Sequence, residues 1–386
     1  MDNISYDDDK VLVVDDYPPK KPDEPQKSDK VKKPDAHKKP VAPPKITTRV
    51  EALGISANCA EAFKLLEQGH GLGAFAIFRM EAEDTGSDVA YCEMGRCYLE
   101  GVGVAKDYKQ AFKNLKLACK VNNPRALCIM GYIYKQGLGV SKDDATAAEY
   151  YKKAAEKGSA IAALNLGNCY IRGIGVKKNE AQALKLFEQS AAGGNSKAMY
   201  SAAMMYLEGE GTAKDRAKAF EYMKRAAEAG HTEARSKLGL MTDKGQGTSK
   251  NTDSAIEFTR AAAKEGSPTA LFNLGYYYYN GTGVEKNPIK AFALFKKAAD
   301  LGLPSAYTWV GVCYEYGTGV MQNLTEAVSY YKMASAKDEV YGLFNLGRCY
   351  LYGRGVTKNI AAARKHLSRA RELGHPKAME ELAKCN

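Results

Sequence analysis

The sequence predicts an all-α protein, a right-handed α-solenoid of antiparallel helix pairs behind a disordered N-terminal tail. Three observations predict it. A Gly-x-Gly pair recurs at 101, 137, 173, 209, 245, 281, 317 and 353, always 36 residues apart. An Asp or Asn follows each pair at a constant distance, at 107, 143, 179, 215, 251, 287, 323 and 359. A third column holds Gly158, Gly194, Gly230, Gly266, Gly302 and Gly374, with Asn122 and Asp338 in the remaining copies. A constant period of this length marks stacked supersecondary units.

Each column has a local task. The Asp or Asn oxygen accepts from free amides at a helix start, so it is an N-cap in every copy. Glycine, asparagine and aspartate are the residues that tolerate the left-handed conformation ending a helix, so the third column closes what the N-cap opens. Pro124, Pro268, Pro304 and Pro376 stand two residues later, at a first helical position where a missing N–H costs nothing. Each unit therefore holds a first helix, a Gly-x-Gly loop and a second helix. Small residues recur within the helices, at Gly95, Gly131, Gly167, Ala203, Gly239, Gly275, Gly311 and Gly347, and as alanine in all eight copies from Ala111 to Ala363. They mark where helices approach closely. Neither helix can bury its apolar face alone, so neighbours must stack.

The first 48 residues lack the apolar material for a core. They read as a disordered tail, rich in Lys, Asp and Pro. Residues 1–16 hold six Asp against one Lys, a net −5, and 17–50 hold ten basic against four acidic residues, a net +6. The expected organisation is the tail at 1–48, a divergent capping repeat at 49–88, eight 36-residue repeats at 89–375 and a capping helix at 376–386. In the capping repeat the glycine pair is displaced to Gly71-Leu72-Gly73. The longest apolar run near the start, Val11-Leu12-Val13-Val14, is enclosed by aspartates and is no secretory core, and no stretch is long enough to span a membrane. Nine cysteines, an odd number, point to a reducing setting, cytoplasmic or nuclear. Cys119 and Cys128, across one turn between helices, are the only pair placed for a disulfide.

The pattern Leu274-Gly275-Tyr276-Tyr277-Tyr278, then Gly281-Thr282-Gly283-Val284, Lys286, Ala291 and Ala298-Ala299, resembles the Sel-one-like repeat (SLR) family, a relative of the tetratricopeptide repeats. The resemblance covers about residues 52–386. It implies an SLR superhelix like that of the tetratricopeptide proteins, and a non-catalytic adaptor role in which other proteins bind a concave groove lined by the first helices. Relatives scaffold membrane-associated degradation complexes, activate cell-wall synthases, or mediate signalling and host contacts, so a regulatory subunit of a membrane-associated synthase or a ubiquitin-linked degradation complex is the alternative. Departures at Ala203, Thr212, Thr242, Thr248 and Gln322 cluster in the fourth and fifth repeats, where looser packing is expected, with Gln322 alone in the seventh.

Positions that vary within the constant framework are the expected partner contacts. On the groove face these are Tyr276, Tyr279, Trp309, Tyr316, Asn345, Arg348 and Tyr352, with Asn273 beside them. Aromatic residues and arginine dominate binding energy at interfaces. In the tail, Val11-Leu12-Val13-Val14 followed by Asp15-Asp16 resembles a SUMO-interacting motif, an apolar strand that adds to a sheet edge. Pro40-Val41-Ala42-Pro43 fits a PxxP ligand.

No catalytic group, metal site or cofactor is expected. The Gly-x-Gly pairs follow helices, whereas a phosphate-binding loop follows a strand. Cys97, Cys169, Cys313 and Cys349 share a column with Ile133, Met205, Met241 and Tyr277 and read as core. The net charge of +11 comes largely from one loop slot, Lys106 through Lys358, filled by lysine in seven copies, which argues against a specific nucleic-acid site.

Overall fold

A computed structural model describes residues 55–385. The tail motifs at 11–14 and 40–43 lie outside the described residues. Nineteen helices and no strand occur among those described. In order they are α1 (Ala57–Glu67), α2 (Gly71–Thr85), α3 (Asp88–Glu100), α4 (Tyr108–Cys119), α5 (Pro124–Gln136), α6 (Asp144–Glu156), α7 (Ala160–Arg172), α8 (Glu180–Ala192) and α9 (Ser196–Glu208). They continue as α10 (Arg216–Glu228), α11 (Thr232–Lys244), α12 (Thr252–Lys264), α13 (Pro268–Asn280), α14 (Pro288–Asp300), α15 (Pro304–Tyr316), α16 (Leu324–Ser335), α17 (Val340–Tyr352), α18 (Ile360–Glu372) and α19 (Ala378–Ala383). None is long and apolar enough to cross a membrane.

The described residues fall into two compact units, 55–198 and 199–385. In the first, α1 packs on α2, and α3 on α4, α5 on α6 and α7 on α8, each pair joined to the next by its second helix. In the second, α11 pairs with α12, α13 with α14, α15 with α16 and α17 with α18, in the same manner. First helices of successive pairs also touch directly, α3 with α5 in one unit, α11 with α13 and α15 with α17 in the other.

Within a pair, the glycine of the first helix lies against one large residue of the second. A Cβ on Gly131 would stand 2.7 Å from the Tyr151 ring and 3.1 Å from the Ala147 carbonyl oxygen. Gly167 meets Phe187, Gly275 meets Phe295, Gly311 meets Tyr331, and Gly95 and Gly347 meet Leu115 and Leu367. These large residues are essentially fully buried. The alanine column is small for the same reason, because its carbonyl is where the glycine rests.

The loops carry a second close approach. Gly101 ends α3 in the left-handed conformation, its N–H donating to the Cys97 carbonyl. The Asp107 N–H returns to the Tyr98 carbonyl at 3.0 Å, and its side chain accepts from Lys109 and Gln110. All eight Asp and Asn of this column cap their helices with side-chain bonds. The second glycine of the loop packs on the start of the preceding pair's second helix. A Cβ on Gly175, Gly247, Gly319 or Gly355 would be driven into the carbonyl of Asp144, Arg216, Pro288 or Leu324. By contrast Gly302, with φ +88°, has open space where its Cβ would be and is needed for its conformation alone. Asn122 and Asp338 hold φ of 60° and 54° at the equivalent turn.

Two expectations are corrected. Gly71-Leu72-Gly73 is no displaced loop but the first turn of α2, and Gly71 is small because a Cβ there would meet the Gly103 backbone at 2.9 Å. It is the surface on which the first repeat's loop lies. Pro376 is not the first residue of a helix, since α19 starts at Ala378. His375 Nδ1 instead accepts from the Lys377 N–H at 3.2 Å, and Ala378 and Cys385 close over Leu343, Phe344 and Leu367.

Two tests follow from this packing. Gly302→Ala costs about 1–2 kcal/mol for the left-handed backbone, whereas Gly319→Ala adds a clash with a fixed carbonyl and costs about 2–5 kcal/mol. Equal losses in urea denaturation would show that the inter-repeat approach carries no energy. The second concerns His375, stacked on Phe344 with ring centroids 3.8 Å apart and pushed down to about 4 by burial, with Lys377 adding to the effect. The unfolded chain then binds the extra proton between about 6.5 and 4. The neutral ring's contribution is therefore complete above pH 6.5 and lost on acidification, by up to about 3 kcal/mol. His366, lowered by burial, acts in the same direction, and Glu339, raised by burial, acts oppositely as pH rises. His375→Asn should flatten the pH dependence of the denaturation midpoint between 6.5 and 4; an unchanged slope would locate the titration elsewhere.

Candidate protein-binding face of the last three repeats

The sequence-derived contact residues lie on α13, α15 and α17, three first helices in the second unit. Spacings of three and four place Asn273, Tyr276 and Asn280 on one stripe, Ser305, Trp309, Val312 and Tyr316 on the next, and Tyr341, Asn345, Arg348 and Tyr352 on the third.

Trp309 is the centre of an aromatic cluster. Its ring meets Tyr276 edge-on at 5.5 Å and Tyr279 at 5.1 Å, and lies tilted at 5.3 Å from Phe295. Phe272 stands 6.3 Å away. Such edge-to-face pairs add to the simple burial of area. Trp309, Tyr276 and Tyr279 are half-buried, so this cluster joins two repeats and presents part of its surface. Burial pushes the Tyr279 phenol up to about 12, so it remains a neutral donor at any ordinary pH. Tyr316, one turn beyond Trp309, is 47% exposed.

The third stripe is built differently. The Arg348 guanidinium lies over the Phe344 ring at 5.7 Å. Tyr352 is also exposed, and its hydroxyl donates to Glu381 of α19 at 2.6 Å, with Lys384 at 3.1 Å from the same side chain. The structure thus gives Tyr352 an internal bond that spacing did not reveal. Asn345 and Asn273 are buried, at 3% and 2% exposure, and the Asn273 Oδ1 has no hydrogen-bond partner among the described residues. Both offer a partner little surface.

Beneath this face lies a polar network absent from the sequence reading. Glu315, buried at 5% exposure, accepts from the Tyr331 hydroxyl at 2.5 Å and pairs with Arg354 at 2.8 Å. Gln322 donates to the Glu315 carbonyl at 2.8 Å. Beside it Glu339 caps α17, accepting from Gly342 N–H at 2.6 Å and from the Thr308 hydroxyl, while burial pushes its carboxyl up. The signal in the sequence was weak: the slot of Glu315 reads Leu99, Ile171, Leu207 and Leu351 in four repeats but Lys135, Asp243 and Tyr279 in the other three.

Reactive chemistry has little to work with. All nine cysteines are free, Cys119 and Cys128 included. Burial pushes both of these up to about 11, and Cys313 and Cys349 up to about 12, so they are thiols and not thiolates at neutral pH. Among the described residues no group of three or more His, Cys, Asp or Glu could hold a metal ion.

Because Arg354 and Tyr331 serve one carboxylate, their removal should be coupled. Arg354→Leu is expected to cost about 1–3 kcal/mol, reduced from a fully buried pair because the guanidinium is about one-third exposed. Tyr331→Phe should cost about 1.5–3 kcal/mol. A double variant whose loss equals the sum of the two would show that they act independently.

Comparison with known proteins places these features in a family. The Sel1 repeat model matches eight consecutive segments, 88–123, 124–159, 160–195, 196–231, 232–267, 268–303, 304–339 and 340–375. Among solved structures, a protective antigen of uropathogenic Escherichia coli with an SLR fold is 30% identical, with a TM-score of 0.74 over 87% of this chain and 73% of that one. A Sel1 repeat protein from Oxalobacter formigenes is 31% identical, with a TM-score of 0.58 over 63% of this chain and 96% of that one. No curated protein matches the chain in sequence. The eight matched repeats make this chain a member of the Sel1 repeat family.

Proposed function

We propose that the chain is a non-catalytic scaffold that holds another protein against the first helices of its last three repeats. The observation that carries this reading is the row on α13, α15 and α17, where exposed Tyr316 and Tyr352 flank half-buried Tyr276, Tyr279, Trp309 and Arg348. The framework beneath is constant, while the slot after each helix glycine changes, reading Arg96, Tyr132, Asn168, Met204, Tyr276 and Arg348 where it is at least partly exposed and Leu240 and Val312 where it is buried. Variation on a fixed frame is what choice of a partner requires, and aromatic residues with arginine are the side chains that most often dominate such contacts. An extended segment or a helix fits a row three helices long. The tail's 11–14 motif supplies a second, tethered contact for a SUMO-like partner and raises the effective concentration at the face. Buried free thiols fit a reducing compartment, the cytosol or nucleus.

Trp309 is a poor residue to delete, because it also joins two repeats. Tyr316→Ser leaves that cluster intact. In the full-length chain a photo-crosslinking residue at 316 should capture a defined protein, while one at exposed Lys297 on α14 should not. Adding Arg348→Ser to Tyr316→Ser should weaken capture at least about ten-fold, in keeping with loss of one interface hot spot, with helicity unchanged. The same bands from both positions, or capture indifferent to the substitutions, would remove the proposal.

A further inference from the structure

We propose that the fifth repeat, residues 232–267, is a joint that opens on its own ahead of the repeats behind it. At three buried slots this repeat carries Ser236, Thr242 and Thr259, where the sixth carries Phe272, Tyr278 and Phe295. The two threonine hydroxyls do not bind across the helix pair. Thr242 donates to the Leu238 carbonyl at 2.7 Å and Thr259 to the Ala255 carbonyl at 2.8 Å, each within its own helix. Bonding back to the fourth residue before it slightly weakens and bends a helix. The Ser236 Oγ is buried with no hydrogen-bond partner among the described residues. Gly239 therefore faces a hydroxyl, not the ring or aliphatic side chain found elsewhere.

The missing volume is recovered on one side only. At the slot filled by cysteine, isoleucine or methionine in other repeats, the sixth has Tyr277, 2% exposed, whose hydroxyl reaches Thr259 and Asp243. Thr252 adds a bond to Asp243 at 3.1 Å. Tyr277 thus reaches from α13 to the fifth repeat, while α11 has no aromatic residue and α12 has Phe258 alone. In a linear stack each repeat depends on its own packing and on its two seams, so a repeat poor in apolar volume, with one buried hydroxyl left unpaired, opens first. Opening there frees α13–α18, which carry the aromatic face, to move as a body.

Native-state hydrogen exchange of the full-length chain, read by mass spectrometry, tests this. Amides in α11 and α12 should show protection at least about ten-fold lower than those in α13–α16. Thr242→Tyr, which restores the tyrosine of other repeats beside Phe258, should narrow that gap. Protection in α11 and α12 within about three-fold of α13–α16 would overturn the proposal, as would a wild-type gap that a folded Thr242→Tyr protein leaves unchanged. If that variant does not fold, the wild-type comparison decides alone.

Discussion

The approach of one backbone to another at a helix glycine is the constraint on which the architecture rests. At Gly275 the first helix lies so near the second that a Cβ would sit 2.8 Å from the Phe295 ring and 3.3 Å from the Ala291 carbonyl. With no side chain at the crossing, the large residue folds over the glycine and fills the gap itself. The alanine must stay small for the same contact to form. The loop glycines repeat the device between pairs, laying one repeat's turn on the carbonyl that begins the previous pair's second helix. Glycine serves twice, once to seat a helix on its partner and once to seat a pair on its neighbour. Both contacts are short, so the spacing cannot drift by a residue without breaking one of them.

That geometry also explains the basic composition. The lysine that follows each glycine pair lies with its side chain over the first loop glycine, Lys106 on Gly101, Lys214 on Gly209 and Lys286 on Gly281. Its aliphatic stem covers backbone that would otherwise be bare, while the ammonium stays in water. Where the slot holds Gln322, the amide reaches the Glu315 carbonyl. Seven charges thus arise from one packing need repeated seven times. They are distributed one per repeat, which is a poor way to build a concentrated anion site.

What could be read from sequence was whatever recurs. The N-caps, the left-handed turns at Asn122 and Asp338 and the buried cysteine column are local or periodic properties, and each stands where its spacing placed it. What could not be read depends on a single copy meeting its neighbours. Gly71 looked like a shifted loop because only the fold brings it beneath Gly103. Glu315 meets Tyr331 and Arg354 across 16 and 39 residues, and the other acid in its slot, Asp243, has Thr259 where Tyr331 stands, so no repeated pair exposes the contact. Trp309 shows the same limit from the other side. Its place on the groove face marked it as a contact residue, yet much of its ring is engaged with Phe272, Phe295, Tyr276 and Tyr279.

Trp309 therefore belongs to two structures at once. In a solenoid the surface offered to a partner and the seam between repeats are formed by the same helices, so a side chain half-buried in the seam is held rigid on the face. Rigidity lowers the entropic cost of ordering that side chain on binding. The sixth and seventh repeats, joined by this aromatic cluster and by the buried Tyr331–Glu315–Arg354 network near it, are thus the best-fastened part of the second unit. The fifth, with Thr242 and Thr259 where they have aromatic rings, is the one we propose opens first. In the proposed reading, a stiff aromatic face directly after a yielding repeat keeps its shape while its position changes, because the weak element absorbs the displacement.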